Sequence, residues 1–130
     1  MCAAYTNQEF LFPDHKSPTP FIIDKIRYHS ISQWMAASKA TLFRDDDSLK
    51  RIMKRDTPNM CDFLARSIKG YNNIVWRVNI DQLYYRGVKA KLTQNPLYYL
   101  DFLMTKDYIL ASDLLIKLKR EFLMIDDDVI

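Results

Sequence analysis

Glycine is nearly missing from this chain of 130 residues, with only Gly70 and Gly87 present. Phosphate loops of the P-loop and Rossmann kinds need several glycines for tight turns and close backbone approach, so both are excluded. Cysteine is as scarce, at Cys2 and Cys61. Neither stands in a Cys-x-x-Cys pair, which removes support for zinc and redox motifs and makes reduced thiols in a cytoplasmic protein the expectation. The two histidines, His15 and His29, provide no i, i+4 pair for a helical zinc site. No apolar run approaches the length of a membrane span, and the N-terminus lacks the basic-then-apolar layout of a signal peptide. Charge of one sign is also lacking: the formal net charge is +3, too mild to argue for nucleic acid without a concentrated basic face. No metal, cofactor or membrane partner is expected.

What is present is an ordinary globular balance, 48% apolar and 27% charged. The length favours one domain over residues 1–130, large enough to bury a core without disulfide or metal. Pro13, Pro18 and Pro20 make residues 1–20 an irregular arm. Phe21–Ile23 and Ile26–Tyr28 read as short strands around an Asp24-Lys25 turn. Ser30 offers an N-cap for a helix of about 13 residues, with Ile31, Trp34, Met35, Ser38 and Leu42 on one face. Asp45-Asp46-Asp47 precedes a second helix, with Leu49, Ile52 and Met53 apolar and Lys50, Arg51, Lys54 and Arg55 solvated. Thr57-Pro58 caps and starts a third helix, predicted to turn Met60, Phe63, Leu64 and Ile68 inward, with Gly70 as its C′ residue.

Residues 76–92 form the longest helical pattern, carrying Trp76, Ile80, Leu83, Tyr84, Gly87 and Val88 on one stripe. Asn95-Pro96 starts another helix, predicted to turn Leu97, Leu100, Leu103 and Met104 inward. Asp107 is placed as cap of a last helix reaching about Phe122, followed by an acidic, frayed tail over about 125–130. The architecture expected is mainly α (α+β), with a short N-terminal β-hairpin.

Few residues point to chemistry on their own. The Asp45–Asp47 run is too short and glycine-free for a hard-cation loop, and suits a helix N-terminus. The Lys50–Arg55 face is better explained as a solvated surface beside aspartates than as a phosphate grip, which leaves nucleic-acid binding as the last choice. Periodicity assigns Trp34 and Trp76 to the core, although an indole on a pocket wall can stack a base for roughly 1–3 kcal/mol. Lys39, Arg66 and Lys91 lie on different predicted segments and become a phosphate site only if the fold gathers them. A Cys-His or Ser-His-Asp arrangement stays open, though no nucleophile elbow occurs.

One ordered pattern spans most of the chain. It runs from Pro20-Phe21 and Tyr28-His29-Ser30 through Trp34 to Lys39 and Pro58 to Arg66, and continues with Trp76, Lys91-Leu92-Thr93-Gln94-Asn95 and Leu103-Met104-Thr105. Over roughly residues 12–113 it resembles the NADAR (NAD- and ADP-ribose-associated) family of YbiA-like N-glycosidases. The family helix Ser-Glu-His-Tyr-x-Gln-Ala-x-Lys is met by Ile31-Ser32-Gln33-Trp34-Met35-Ala36-Ala37-Ser38-Lys39. Trp34, Ala37 and Lys39 keep its pattern, whereas Ser32, Gln33 and Ala36 replace its glutamate, histidine and glutamine. The late glutamate and Trp-Gly-x-Gly loop give way to Ala111-Ser112-Asp113 and Leu114-Leu115-Ile116-Lys117.

The resemblance implies a compact helical domain, a nucleotide or ADP-ribose-type ligand, and cleavage of an N-glycosidic bond. It implies ligand contacts from Trp34, Lys39, Arg66, Trp76 and Lys91, with Asp113 as the best remaining acid and Asp107 behind it. Serine at position 32 cannot supply the carboxyl group that such cleavage needs. A catalytically altered or silent member that binds a nucleotide or a protein partner is therefore favoured over a working hydrolase.

Overall fold

In the computed structural model, which describes residues 19–104 and 113–129, the chain opens with an antiparallel hairpin. Its strands are β1 (Phe21–Ile23) and β2 (Ile26–Tyr28), with Phe21 opposite Tyr28 and Ile23 opposite Ile26. The turn residues Asp24 (φ 53°) and Lys25 (φ 70°) both lie in the left-handed region. A two-residue type I′ connection requires this, and glycine or asparagine ordinarily supplies it. Phe21 stacks on Tyr28 with ring centroids 6.0 Å apart, and both side chains are buried.

The next helix, α1 (Ile31–Leu42), starts where expected because the Ser30 hydroxyl accepts the Gln33 N–H. It is buried nearly all round, including Ala36, Ala37 and Ala40 as well as Ile31 and Trp34. Those small side chains let neighbouring helices come close. Helices α2 (Asp46–Met53) and α3 (Pro58–Ala65) both pack against it. Asp45 caps α2: its carboxylate accepts from the Ser48 N–H and hydroxyl and from the Lys69 N–H, 2.6–3.1 Å away. Thr57 caps α3 ahead of Pro58 at the first helical position.

On α3 the inward face differs from expectation. Cys61 is fully buried, while Phe63 is 61% exposed and Met60 is exposed too. The helix has two turns and apolar residues on every side, and the small Cys61 takes the close contact. Ile68 is buried as predicted. Gly70 has positive φ (78°) as predicted. Yet Arg66 caps α3, so the glycine serves the following turn, where a Cβ would meet the Phe43 carbonyl at 3.4 Å.

Helix α4 (Asn73–Thr93) is the longest. The Asn72 side chain accepts from the Ile74 and Val75 N–H groups at its start. Its predicted stripe holds, with Gly87 and Val88 buried and Trp76, Ile80, Leu83 and Tyr84 half-buried.

The chain divides into two compact units, the first ending at Lys91 and the second beginning at Leu92. In the second, α5 (Pro96–Met104) packs on α6 (Asp113–Val129). Leu97 and Met104 are 80% and 83% exposed and Leu100 is exposed as well, contrary to the predicted inward face. The larger rings take the core side instead: Tyr99 and Phe102 both meet Phe122 edge-on, at 5.0 and 6.3 Å. Helix α6 continues to Val129 through the segment expected to fray. Asp107 and the arm over residues 1–18 lie outside the described residues. Among the described residues no helix is long and apolar enough to cross a membrane.

Candidate functional site

Two cation–aromatic clusters lie along the seam between α1 and α4. The first surrounds Lys39, in the last turn of α1. Its ammonium donates to the Ala65 carbonyl at 2.9 Å. It also sits 4.6 Å from the Tyr71 ring centre and 5.6 Å from that of Trp76. Tyr71 in turn meets Phe43 edge-on at 5.4 Å, and its hydroxyl donates to the Asn73 side-chain oxygen at 2.9 Å. Partial burial of Lys39 lowers its pKa, because the charged form is poorly solvated there. The aromatic faces compensate in part. An ammonium has three donors, so one hydrogen bond to Ala65 leaves capacity for an anionic oxygen.

The second cluster surrounds Trp34. Its indole N–H donates to the Leu83 carbonyl at 2.7 Å, and Tyr28 meets the ring edge-on at 5.1 Å. The Arg86 guanidinium lies 5.5 Å from the ring centre and pairs with Asp24 of the hairpin turn at 3.3 Å. Gly87 permits the approach of the indole: a Cβ there would lie 2.3 Å from Trp34 Cδ1. Burial raises the Tyr28 pKa, with a smaller push from Asp24. Trp34 is thus enclosed by protein, as periodicity assigned it.

The predicted site residues are gathered only in part. Lys39 and Trp76 meet. Arg66 directly follows the residue that accepts from Lys39, caps α3 and is exposed. Lys91 is fully buried but lies fifteen residues beyond Trp76 on the same helix, about 22 Å away at 1.5 Å per residue. Asp113 is exposed at the start of α6. Sequence reasoning missed Tyr71 and Arg86. Tyr71 lies in a loop, where no periodicity assigns partners, and its one signal is the preceding Gly70.

Position 32, where the resemblance places an acid, carries a serine 5% exposed. Its neighbour Gln33 is committed to the scaffold: it accepts from the His29 N–H at 2.9 Å and donates to the Ile52 carbonyl at 3.2 Å. It thereby ties the start of α1 to the end of α2. The open Cys-His possibility also resolves. His29 Nε2 is 2.9 Å from the Arg55 carbonyl, and a carbonyl only accepts, so this nitrogen carries the proton. It therefore cannot take one from Cys61, whose sulfur is 3.9 Å away. Burial, aided by nearby Asp62, pushes the Cys61 thiol up to about 11. It is a packing residue and not a nucleophile.

The N-glycosidase R617 of Acanthamoeba polyphaga mimivirus is 32% identical over 69 residues, covering 53% of this chain and 41% of that protein. The matched stretch thus spans less than half of that relative's length. The family model described as the NADAR domain matches residues 2–114, from before the hairpin to the first turn of α6, and the chain belongs to the NADAR family.

Proposed function

We propose that this chain is a catalytically altered or silent NADAR protein that holds a nucleotide or ADP-ribose-type ligand through the Lys39–Tyr71–Trp76 cluster. The observation that carries this reading is position 32. Cleaving an N-glycosidic bond calls for a group that protonates the leaving nitrogen or activates water, and loss of such a group removes about 10²–10⁴-fold in rate. The Ser32 hydroxyl does neither near neutral pH, and Gln33 beside it is occupied by two backbone groups. The binding half is better preserved. Lys39 offers an ammonium with free donor capacity, and Tyr71 and Trp76 offer ring faces on which a base can stack. Arg66, one residue past the Lys39 acceptor and exposed, supplies the second cation of this reading for a phosphate. Lys91, at the other end of α4, has no part in this reading. A cytoplasmic setting fits the two cysteines outside any paired motif.

The likeness to a viral N-glycosidase favours a second reading, an active N-glycosidase with Asp113 as its acid. Calorimetric titration with ADP-ribose and NAD, with each mixture assayed for cleavage by mass spectrometry, separates the two. Binding without product is expected, weakened at least about tenfold by Lys39→Ala, since a charge-assisted contact to an anion contributes roughly 1.5–3 kcal/mol. Product that disappears in Asp113→Asn would establish the hydrolase. Absence of binding would remove the ligand and leave a protein partner as the role of this chain.

A further inference from the structure

Ser38 stands apart among the side chains that the fold buries. It is 9% exposed, and its hydroxyl is the one buried side-chain polar atom among the described residues with no hydrogen-bond partner. A hydroxyl within a helix commonly bonds the carbonyl one turn back. Thr41, three residues on, does so, donating to Ala37 at 2.9 Å. Ser38 forgoes even this bond, so its hydroxyl is turned away from its own backbone. A buried polar group left unpaired destabilises the fold, and its presence calls for a reason.

Helix geometry places Ser38 on the side of α1 that faces α4. Trp34 reaches Leu83 and Gly87 of α4, and Lys39 reaches Trp76, so the two helices run in opposite directions along the seam. Counted from Trp34, Ser38 lies about 40° round the helix and Lys39 about 140°. Ser38 therefore falls between the two clusters, about 6 Å along the axis from Trp34 and about 1.5 Å short of Lys39. Between Trp76 and Leu83 the seam stripe of α4 is carried by Ile80, half-buried, an apolar side chain that cannot answer a hydroxyl.

We infer that Ser38 is a ligand contact in this seam, its hydroxyl pairing with a ribose hydroxyl of the nucleotide-type ligand. This deepens the ligand reading above and rests on it. The serine hydroxyl both donates and accepts. With Ile80 opposite, its neutral complement is another hydroxyl, which does the same. An anionic oxygen is drawn instead to the Lys39 ammonium one residue on, and a base to the faces of Tyr71 and Trp76. The sugar is the part of a nucleotide that lies between base and phosphate. Leu42, one turn further along α1, leans back over Ser38 and is only half-buried, so movement of that side chain opens the way in.

The test compares the whole chain with Ser38→Ala, by thermal unfolding without ligand and by calorimetric titration with ADP-ribose. Removing an unpaired buried hydroxyl while gaining the helix propensity of alanine is expected to raise the melting temperature by about 2–6 °C. The same variant is expected to bind ADP-ribose about threefold to tenfold more weakly, the worth of one neutral hydrogen bond. A serine with a structural role alone does not give higher stability together with lower affinity. Of the ADP-ribose analogues that each lack one ribose hydroxyl, at least one is expected to lose affinity for wild type and to lose nothing more in Ser38→Ala, as a direct pair requires. A lowered melting temperature would overturn the inference, because the hydroxyl would then have a partner within the protein. Analogues that are weakened equally in both proteins, or in neither, would overturn the ribose assignment. Absence of ADP-ribose binding by wild type would overturn the ligand reading and this inference with it, whereas binding that Lys39→Ala weakens and Ser38→Ala leaves unchanged would overturn this inference alone.

Discussion

The close approach between Gly87 and Trp34 is a tight packing constraint of the first unit, and Gly87→Ala tests it. A Cβ at position 87 would lie 2.3 Å from Trp34 Cδ1 and 2.6 Å from Nε1, well inside van der Waals contact. The indole has little room to yield. It is 6% exposed, anchored by its N–H to Leu83, met on its edge by Tyr28 and overlaid by Arg86. Forcing a methyl group into such a site costs about 1–3 kcal/mol, and a strained or broken Trp34–Leu83 hydrogen bond adds about 0.5–1.5 kcal/mol. Alanine returns about 1 kcal/mol through its better helix propensity. The net expectation is a destabilisation of about 1–3 kcal/mol, seen as a melting temperature lowered by about 3–5 °C per kcal/mol. Chemical denaturation followed by circular dichroism measures it, and Trp34 emission in a Trp76→Phe background reports the displaced ring. Trp34→Leu, although harmful alone, is expected to absorb much of the Gly87→Ala penalty, because neighbouring sites in direct contact are not additive. A Gly87→Ala protein as stable as wild type, or more so, would refute the packing described for this seam.

Two further outcomes follow from buried polar groups. The Asp45 carboxyl is held down to about 2, chiefly by the Ser48 hydroxyl and then by the Lys69 and Ser48 N–H groups. A carboxyl depressed in the fold stabilises above its unfolded value of about 3.9, and that contribution is lost as pH falls towards 2. Asp45→Asn keeps an N-cap side chain but removes the charge, so its stability deficit relative to wild type is expected to shrink between about pH 4 and pH 2; a deficit that stays constant across that window would contradict the assignment. In a Cys2→Ser background, Cys61 is expected to react with a thiol reagent at mildly alkaline pH only as fast as the protein opens, since its thiol is buried and titrates near 11. Labelling as fast as a free cysteine would mean that the α1–α3 contact is loose.

Sequence and structure agree at several places where a side chain serves its own backbone, although the Asn72 cap, which starts α4 ahead of the expected residue 76, is an exception. The Ser30 cap, Thr57-Pro58 and the hairpin turn were legible because each mechanism acts within four residues of the chain. The long helix was legible because twenty-one residues give periodicity many chances to repeat. Two-turn helices give it too few. On α3, Met60, Cys61, Phe63 and Leu64 allow several inward faces, and on α5 the contest between Leu97, Leu100 and Met104 and the rings of Tyr99 and Phe102 is settled by Phe122, far away in sequence. The candidate site follows the same division. Lys39 and Trp76 were named from a family pattern, whereas Tyr71 and Arg86 join their clusters only through tertiary contacts.

Positions 32 and 33, where the family resemblance implies an acid and a histidine, are the instructive case, because only the fold shows what Ser32 and Gln33 do. Gln33 joins His29 to Ile52 with both ends of its amide, a task that needs a donor and an acceptor in one neutral side chain. An imidazole could offer the same two roles only in one tautomer, and a carboxylate could not offer the donor at all. Ser32, small and buried, fits the interior beside it at no electrostatic cost, where an unpaired carboxylate would meet a desolvation penalty of several kcal/mol. Both side chains contribute to the cohesion between the start of α1 and the end of α2.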